Sequence, residues 1–407
     1  MRSSWRVGSL FGIPLQIDLS WFAVLVLFSF SWGLQWQQQY PVWGVFTNYG
    51  AGVLMALLLF GSVLLHELGH SLVARSQGIQ VNSITLFLFG GIAAIDEESK
   101  TPSQAFQVAI AGPAVSLGLF GLLTLAGLLL PANPMPISVL AASLAHLNLM
   151  LVLFNLIPGL PLDGGQILKA AVWQATGDRF KGIHWAARVG KVLGWAAIVL
   201  GAGSFFLLGA STGLWIGLVG WFVIRNATNY DRVTDLQESL LQITASDAMT
   251  REFRVIEATM SLRQFADEYL LSEERSTTYF AASDGRYRGL VAATELQQVE
   301  RGEWETATLD RLTKPLTEIP AVKETTTLAE VIQTLDSQVL RRITVLSPAG
   351  AVAGVIDRGD VVRALGQKTQ MRVPDSLIKQ IKAEGRYPTG LNLTAIAQAA
   401  LIASKPA

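Results

Sequence analysis

The chain has 407 residues, no cysteine, 31 Lys plus Arg against 31 Asp plus Glu, and 51% hydrophobic residues. A mean hydropathy of +0.40 with only 15% charged residues points to a membrane and argues against a purely soluble, disordered or nucleic-acid-binding protein. Without cysteine there are no disulfides, thiolate metal sites or cysteine nucleophile, so any metal must be held by carboxylates and by His66, His70, His146 or His184.

Charge divides the chain in two. Residues 1–225 carry 10 Lys/Arg and 7 Asp/Glu, whereas residues 226–407 carry 21 and 24. The first part therefore reads as a membrane domain and the second as water-soluble. Segments 19–66, 101–162 and 192–224 are nearly uncharged, and each exceeds the ~20 apolar residues of one bilayer crossing. Turn residues at Tyr40-Pro41, Pro131-Ala132-Asn133-Pro134 and Ser211-Thr212 cut each segment into a helical hairpin. Six spans are predicted, at 17–34, 50–75, 105–130, 137–157, 188–209 and 212–225. Alternate connections hold the basic residues: Arg2 and Arg6, then Arg75 and Lys100, then Lys169, Arg179 and Lys181, then Arg225. Both termini are accordingly expected in the cytoplasm of a multi-pass inner-membrane protein. The start, Met1-Arg2-Ser3-Ser4-Trp5-Arg6, shows no short apolar run with a small-residue cleavage site, so no removable signal peptide is expected.

The second span ends His66-Glu67-Leu68-Gly69-His70. Histidines four apart lie on one helix face and can grip one zinc ion, while the glutamate between them can act as general base toward the attacking water. Ionisable groups inside a bilayer cost about 2.5 to 3.5 kcal/mol each, so three on an otherwise uncharged helix need a compensating role. A third ligand is required. Between Lys100 and Lys169 the only carboxylate is Asp163, in Asn155-Leu156-Ile157-Pro158-Gly159-Leu160-Pro161-Leu162-Asp163-Gly164-Gly165. Two readings of Asp163 stand side by side: a metal ligand turned back into the bundle, or the N-cap of a helix starting near Gln166. The second and fourth spans run the same way, which brings both motifs to the cytoplasmic side and favours the ligand.

These residues resemble the site-2 proteases (peptidase M50), intramembrane zinc metalloproteases that cut other proteins' transmembrane segments. The resemblance implies His66, His70 and Asp163 as zinc ligands, Glu67 as general base, and Asn155 near the active site, placing substrate or stabilising the oxyanion. Segment 79–95, with Ile84-Thr85-Leu86-Phe87-Leu88-Phe89-Gly90-Gly91, resembles the family's membrane-embedded β-hairpin, and Ala111-Gly112-Pro113-Ala114-Val115-Ser116 its motif opening the following helix. Hydrolysis within a helical span requires unwinding, and an extended substrate can pair with a strand edge, here expected from 79–89. An ordinary buried hairpin or loop is the other reading of that segment. His146 suits a helix-helix hydrogen bond, with Asn148 beside it, and His184 an interfacial position.

Residues 243–300 and 309–366 form a weak repeat. Thr259-Met260-Ser261-Leu262 aligns with Thr325-Thr326-Thr327-Leu328, and Asp284-Gly285 with Ala349-Gly350. Each unit reads as strand, helix, strand, turn, strand, helix. This resembles a tandem cystathionine-β-synthase (CBS) pair, which implies a regulatory module, adenine nucleotide as ligand with Asp360 as its ribose contact, and homodimerisation. The last strand, Gly354-Val355-Ile356-Asp357-Arg358-Gly359-Asp360, resembles that family's G-x-x-T/S-x-x-D ribose-contacting pattern but has Asp357 where a hydroxyl is usual, and a carboxylate repels phosphate, so a purely dimerising module is the other reading.

The expected fold is thus an all-α membrane bundle of about six helices with an embedded β-hairpin, plus a cytoplasmic α+β tandem CBS domain. Expected domains are 1–225 (zinc metalloprotease), 226–242 (linker), 243–370 (CBS pair) and 371–407 (a tail, amphipathic or loosely ordered). The expected function is an intramembrane zinc endopeptidase with one zinc per chain. Its family suggests a membrane-tethered anti-sigma factor or regulator, or a remnant signal peptide, as substrate, with the lipid bilayer around it and no nucleic-acid partner. The alternative is a CBS-regulated channel or transporter using the His/Asp cluster as an ion pathway.

Overall fold

A computed structural model describes residues 4–88, 90–95, 99–130, 135–271, 278–388 and 390–404. The expected break at Pro131–Pro134 and Phe89 of the hairpin lie outside these residues. Two compact units are present, Met1–Thr234 and Asp235–Pro406.

The first unit begins with an antiparallel hairpin, β1 (Ser4–Leu10) and β2 (Ile13–Asp18). Its two-residue turn, Phe11-Gly12, has φ of 50° and 77°, the positive values that let a tight turn match the twist of the strands. Asp18 ends β2 and caps α1 (Leu19–Gln39), accepting from the Ser20 backbone N–H at 2.9 Å. Then follow α2 (Val45–Ser76), β3 (Val81–Phe87), β4 (Gly90–Ile95), α3 (Pro102–Leu129), α4 (Pro136–Asn155), α5 (Asp163–Thr176), α6 (Arg179–Leu208) and α7 (Thr212–Gln242). Helix α3 opens at the Thr101 cap with Pro102 in its first turn, so the Gly112-Pro113 motif lies inside it and does not open it.

Among the described residues five helices, α1, α2, α3, α4 and α6, are long and apolar enough to cross a membrane. The sixth expected span forms the first part of α7, which continues through the expected linker to Gln242. The bundle has the inverted pattern of a lipid-solvated protein. Phe30, Leu125, Leu128, Val199 and Leu207 face outward, while Asn48, Ser62, Ser71, Ser116 and Asn148 are buried. Small residues bring helices together: a Cβ on Gly52 would lie 2.5 Å from the Ser29 carbonyl oxygen, so α1 and α2 pack backbone to backbone there.

The sheet order is β1-β2-β3-β4, with β3 parallel to β2 and antiparallel to β4. This corrects the expected edge. Because the N-terminal hairpin supplies β2 as a neighbour, β3 is paired on both sides and the edge available beside the bundle is β4. Ile13, Ile84 and Leu68 are buried together, fixing the sheet to α2.

In the second unit, sheet β5 (Arg254–Glu257), β6 (Tyr279–Ser283), β7 (Arg286–Val291) and β8 (Thr313–Pro315) runs in that order. A second sheet has β9 (Ala321–Lys323), β10 (Arg342–Leu346) and β11 (Val352–Asp357) in the order β11-β10-β9. Helix α8 (Ala245–Ala248) precedes them; α9 (Leu262–Phe265) and α10 (Leu328–Ser337) follow the first strand of each repeat, and α11 (Arg358–Lys368) follows β11. After β7 the corresponding α-helix is replaced by a 3-10 helix, Ala293–Gln298. The tail forms α12 (Asp375–Glu384) and α13 (Leu393–Ser404). Their Ile381, Leu393 and Ala397 enter the same core as Leu328, Ile332, Ile356 and Val361, so the tail is part of this unit's packing.

Candidate metal centre

His66 and His70 lie one turn apart on α2 and turn toward the N-terminal end of α5. His66 Nε2 is 3.1 Å from Asp163 Oδ2, His70 Nε2 is 3.3 Å from Asp163 Oδ1, and the two Nε2 atoms are 3.3 Å apart. This is the metal-competent group among the described residues. Ligand atoms held at ~2.0–2.2 Å on three corners of a tetrahedron stand roughly 3.3–3.6 Å from one another. The observed spacing is therefore that of a tripod that needs only slight opening to hold a zinc-sized ion.

Asp163 gets there because of what surrounds it. It is the first residue of α5, whose N-cap is Leu162, and its carboxylate meets the histidines and makes no cap. The two following glycines set the helix start flush against the preceding loop. A Cβ on Gly164 would lie 2.3 Å from the Leu156 carbonyl oxygen, and one on Gly165 2.3 Å from the Leu160 backbone nitrogen. Leu160 is fully buried with Ile183, Ala186 and Ala187 of α6, which anchors the loop. The N-cap reading of Asp163 is thus displaced by a tertiary contact.

Helix α3 completes the centre. His70 Nδ1 donates to the Val108 carbonyl oxygen at 2.6 Å, and His66 Nδ1 lies 2.9 Å from Ser116 Oγ. A carbonyl can only accept, so the His70 proton sits on Nδ1 and, in the neutral ring, the Nε2 lone pair faces the cluster. Between these contacts is Gly112: a Cβ there would lie 2.1 Å from His70 Nε2 and 2.7 Å from His66 Nε2. The absence of a side chain at Gly112 leaves the space in which an ion would sit. These donors and this space fit zinc.

Glu67 lies on the adjoining face of α2 and borders a cavity of about 380 Å³ together with His70, Asp163, Lys169, Ile92 and Tyr230. The β4 edge forms one wall, and a Cβ on Gly91 would lie 2.4 Å from Glu67 Cγ. Only a glycine lets that strand approach the glutamate so closely. Asn155 ends α4 half-buried and is not among the residues lining the cavity. His146 is exposed on the outer face of α4. Asn148, one of its neighbours, is buried and donates to Ser62 Oγ at 3.1 Å, tying α4 to α2 one turn before His66. His184 pairs with Asp231 at 2.5 Å, and Lys191 with the same carboxylate at 2.6 Å. Burial opposes ionisation of Asp231, but Lys191 and His184 outweigh it and hold the carboxyl below its usual range.

Asp360 lies in the other unit, at the start of α11, and is 1% exposed. Its oxygens are taken by Arg363 at 2.8 Å, Lys382 of α12 at 3.0 Å and the Asp357 backbone N–H at 3.1 Å. Burial and the neighbouring Asp357 push its carboxyl above the usual range. Gly359 permits this arrangement, since a Cβ there would lie 2.6 Å from Lys382 Cγ.

A two-histidine, one-carboxylate tripod with an adjacent glutamate, carried on apolar helices, defines a membrane-embedded metallohydrolase. Known proteins agree. The model of peptidase family M50 matches residues 54–138 and 132–197, and the CBS domain model matches 312–367. The Synechocystis sp. protein sll0528 is 42% identical over 366 residues, covering 90% of this chain and 96% of that protein. Zinc metalloprotease MJ0392 of Methanocaldococcus jannaschii is 30% identical over 368 residues, covering 90% and 97%. The solved site-2 protease from Methanocaldococcus jannaschii is 32% identical, covering 56% of this chain and 95% of that one, with a TM-score of 0.40. The chain belongs to peptidase family M50: it is a multi-pass membrane protein and an intramembrane zinc metalloprotease with a CBS-domain part.

The sequence singled out the four motif residues of the centre; it placed Gly112 and Ser116 in a helix-opening motif without linking them to the histidines, and it did not single out Val108. The available signal was the spacing of four from Val108 to Gly112 to Ser116 along one helix, which puts all three on one face.

Proposed function

We propose that His66, His70 and Asp163 hold one zinc ion per chain and that Glu67 is the general base of peptide hydrolysis. The approach of each imidazole Nε2 to one oxygen of the Asp163 carboxylate, 3.1 and 3.3 Å, and of the two Nε2 atoms to each other, 3.3 Å, is the observation that carries this reading. When bound, zinc supplies Lewis-acid polarisation of the scissile carbonyl and acidifies water at the site. Glu67, facing the cavity, takes the proton of the attacking water and passes it to the leaving amine. The substrate is a transmembrane segment of another protein, an anti-sigma factor or similar regulator, or a signal-peptide remnant. It is held extended along the β4 edge, whose small residues Gly90, Gly91, Ala93 and Ala94 leave room for a further strand. Asn155, half-buried at the end of α4 ahead of the loop that carries Asp163, is assigned to placing the substrate or stabilising the oxyanion.

In this reading residues 1–225 form the protease, 226–242 the helical link, 243–370 a CBS pair that regulates it and dimerises, and 371–407 the tail. The basic connections orient both termini to the cytoplasm of the inner membrane. An adenine nucleotide contacts Asp360 only after Lys382 and Arg363 release that carboxylate.

Elemental analysis of the detergent-purified chain tests the centre. About one zinc per chain is expected, lost in His66→Ala and in Asp163→Ala together with cleavage of a transmembrane substrate. Zinc that survives Asp163→Ala would remove it as third ligand.

A further inference from the structure

We infer that Ser116 is a positioning residue of the metal centre: its Oγ accepts the Nδ1–H of His66 and thereby fixes the tautomer and ring plane that aim Nε2 at the ion. The inference rests on the assignment of His66 as a ligand and extends it to a residue outside the two ligand-bearing motifs.

Helix α3 lies along α2 with three residues of one face against the histidines. Val108 meets His70, Gly112 meets both imidazoles, and Ser116 meets His66. The spacing of four repeats on both helices, 66 to 70 and 108 to 112 to 116, so each turn of α3 serves a turn of α2. The two histidines are nevertheless held by different means. His70 leans on a backbone carbonyl, which accepts whatever the side chain at 108 is. His66 leans on a hydroxyl, which can donate or accept.

Only one of those polarities suits a ligand. If Ser116 donated to Nδ1, the proton of the neutral ring would sit on Nε2 and point at Asp163, where it would block the ion. If Ser116 accepts, Nδ1 carries the proton and the Nε2 lone pair faces the tripod. Burial makes the hydrogen bond itself obligatory, because Ser116 is 0% and His66 4% exposed and no solvent is at hand to stand in for the hydroxyl. Gly112 adds a reason for a hydrogen bond at this point. With no side chain opposite Nε2, the ring has no steric wall on its reactive edge and is held by its Nδ1 contact. Partners of this kind typically account for 10–100-fold in metal affinity.

The test compares zinc affinity in the purified full chain by competition with a chromophoric chelator, with the thermal transition of the zinc-free protein recorded alongside. Ser116→Ala is expected to weaken zinc binding about 10–100-fold while lowering the zinc-free transition no more than Ser62→Ala, which also removes one buried hydrogen bond. Ser116→Thr, which keeps the hydroxyl, restores binding to within a few fold. Ser62→Ala is the control, because it removes a buried interhelical hydrogen bond, to Asn148, that touches no histidine; its zinc affinity is expected unchanged. Wild-type affinity in Ser116→Ala, or an equal loss in Ser62→Ala, overturns the inference. Zinc retained at full affinity by His66→Ala overturns the ligand assignment and this inference with it. Zinc lost in His66→Ala but undisturbed in Ser116→Ala overturns this inference alone.

Discussion

Asp163 and Asp360 are both acids in the first turn of a helix, both next to glycine, and both brought into contact with side chains from another helix. Their partners differ. Asp163 meets two imidazoles whose outer nitrogens are turned to α3, so three donors converge on a space kept open by Gly112. Asp360 meets the guanidinium of Arg363 and the ammonium of Lys382, so its charge is met by cations of its own chain. A carboxylate intended for an external cation is surrounded by lone pairs and space; one that serves the fold is surrounded by permanent charge. That contrast separates the proposed metal centre from a structural ion cluster.

The largest effect that could break the comparison is at Glu67. Glu67→Gln keeps shape and hydrogen-bonding capacity but cannot take a proton. Cleavage is expected to fall by about 10²–10⁴-fold, with the zinc content unchanged. Cleavage preserved in this variant would leave the tripod as a metal site without its base and send the search for a base to the other cavity residues, Lys169 and Tyr230.

How far the sequence revealed each region follows the same division. His66, Glu67, His70 and Asp163 stood out because charge inside an apolar segment is costly and therefore conspicuous. Ser116 and Gly112 stood out only as part of a motif expected to open a helix, since small residues are ordinary in membrane helices and only the neighbouring helix gives them a role at the histidines. Five spans were legible from apolar length. The pairing of β2 with β3 was not, because a parallel contact between residues 15 and 84 joins strands separated by two helices. In the second unit the repeat was visible through its turns, Asp284-Gly285 with φ of 55° and 73° and Gly350 with 78°. The seating of Lys382 against Asp360 is a contact between α12 and α11 that no local pattern encodes.

Lys382 sharpens the other side of the comparison. Lys382→Met keeps much of the stem that packs on Gly359 but removes the ammonium between Asp360 and Glu252, 3.0 Å and 2.7 Å away. Leaving the buried Asp360 without this partner is expected to cost the CBS part about 2–3 kcal/mol near neutral pH, read as a lower thermal transition of the full chain. Burial and Asp357 hold the Asp360 carboxyl above its usual range, so the native state takes up a proton before the unfolded one does. Its ionisation therefore costs stability as pH rises through the raised value. The Glu252 carboxyl is held low, chiefly by its hydrogen bond from Lys382, and that stabilisation is present above the unfolded value of about 4.3 and lost as pH falls. Both shifts make the gap between Lys382→Met and wild type close as the pH is lowered toward 4. A gap that widened on acidification would contradict the ion-cluster reading of Asp360. The same variant removes one of the two cations on that carboxylate and leaves only Arg363 to be displaced, so AMP should raise its transition more than that of wild type.

The smallest effect belongs to Asp231, which repeats the self-neutralised arrangement in the membrane unit through His184 and Lys191. Its neighbour Tyr230 borders the cavity, so the pair holds one wall of the catalytic space by way of α6. Asp231→Asn leaves Lys191 without its carboxylate but keeps a hydrogen-bonding side chain, and because all three groups are partly exposed the loss is about 1 kcal/mol or less. Since the Asp231 carboxyl is held below its usual range, the stabilisation is complete above the unfolded value of about 3.9 and fades only as pH falls below it. Zinc content should not change, because the triad touches none of the three ligands. KM for a transmembrane substrate is expected to rise a few-fold with kcat nearly constant, the signature of a moved wall and an intact centre. A fall in kcat with KM unchanged would mean instead that α7 contributes to the chemistry, and the division between open tripod and closed ion cluster would then fail in the unit where it is most clearly drawn.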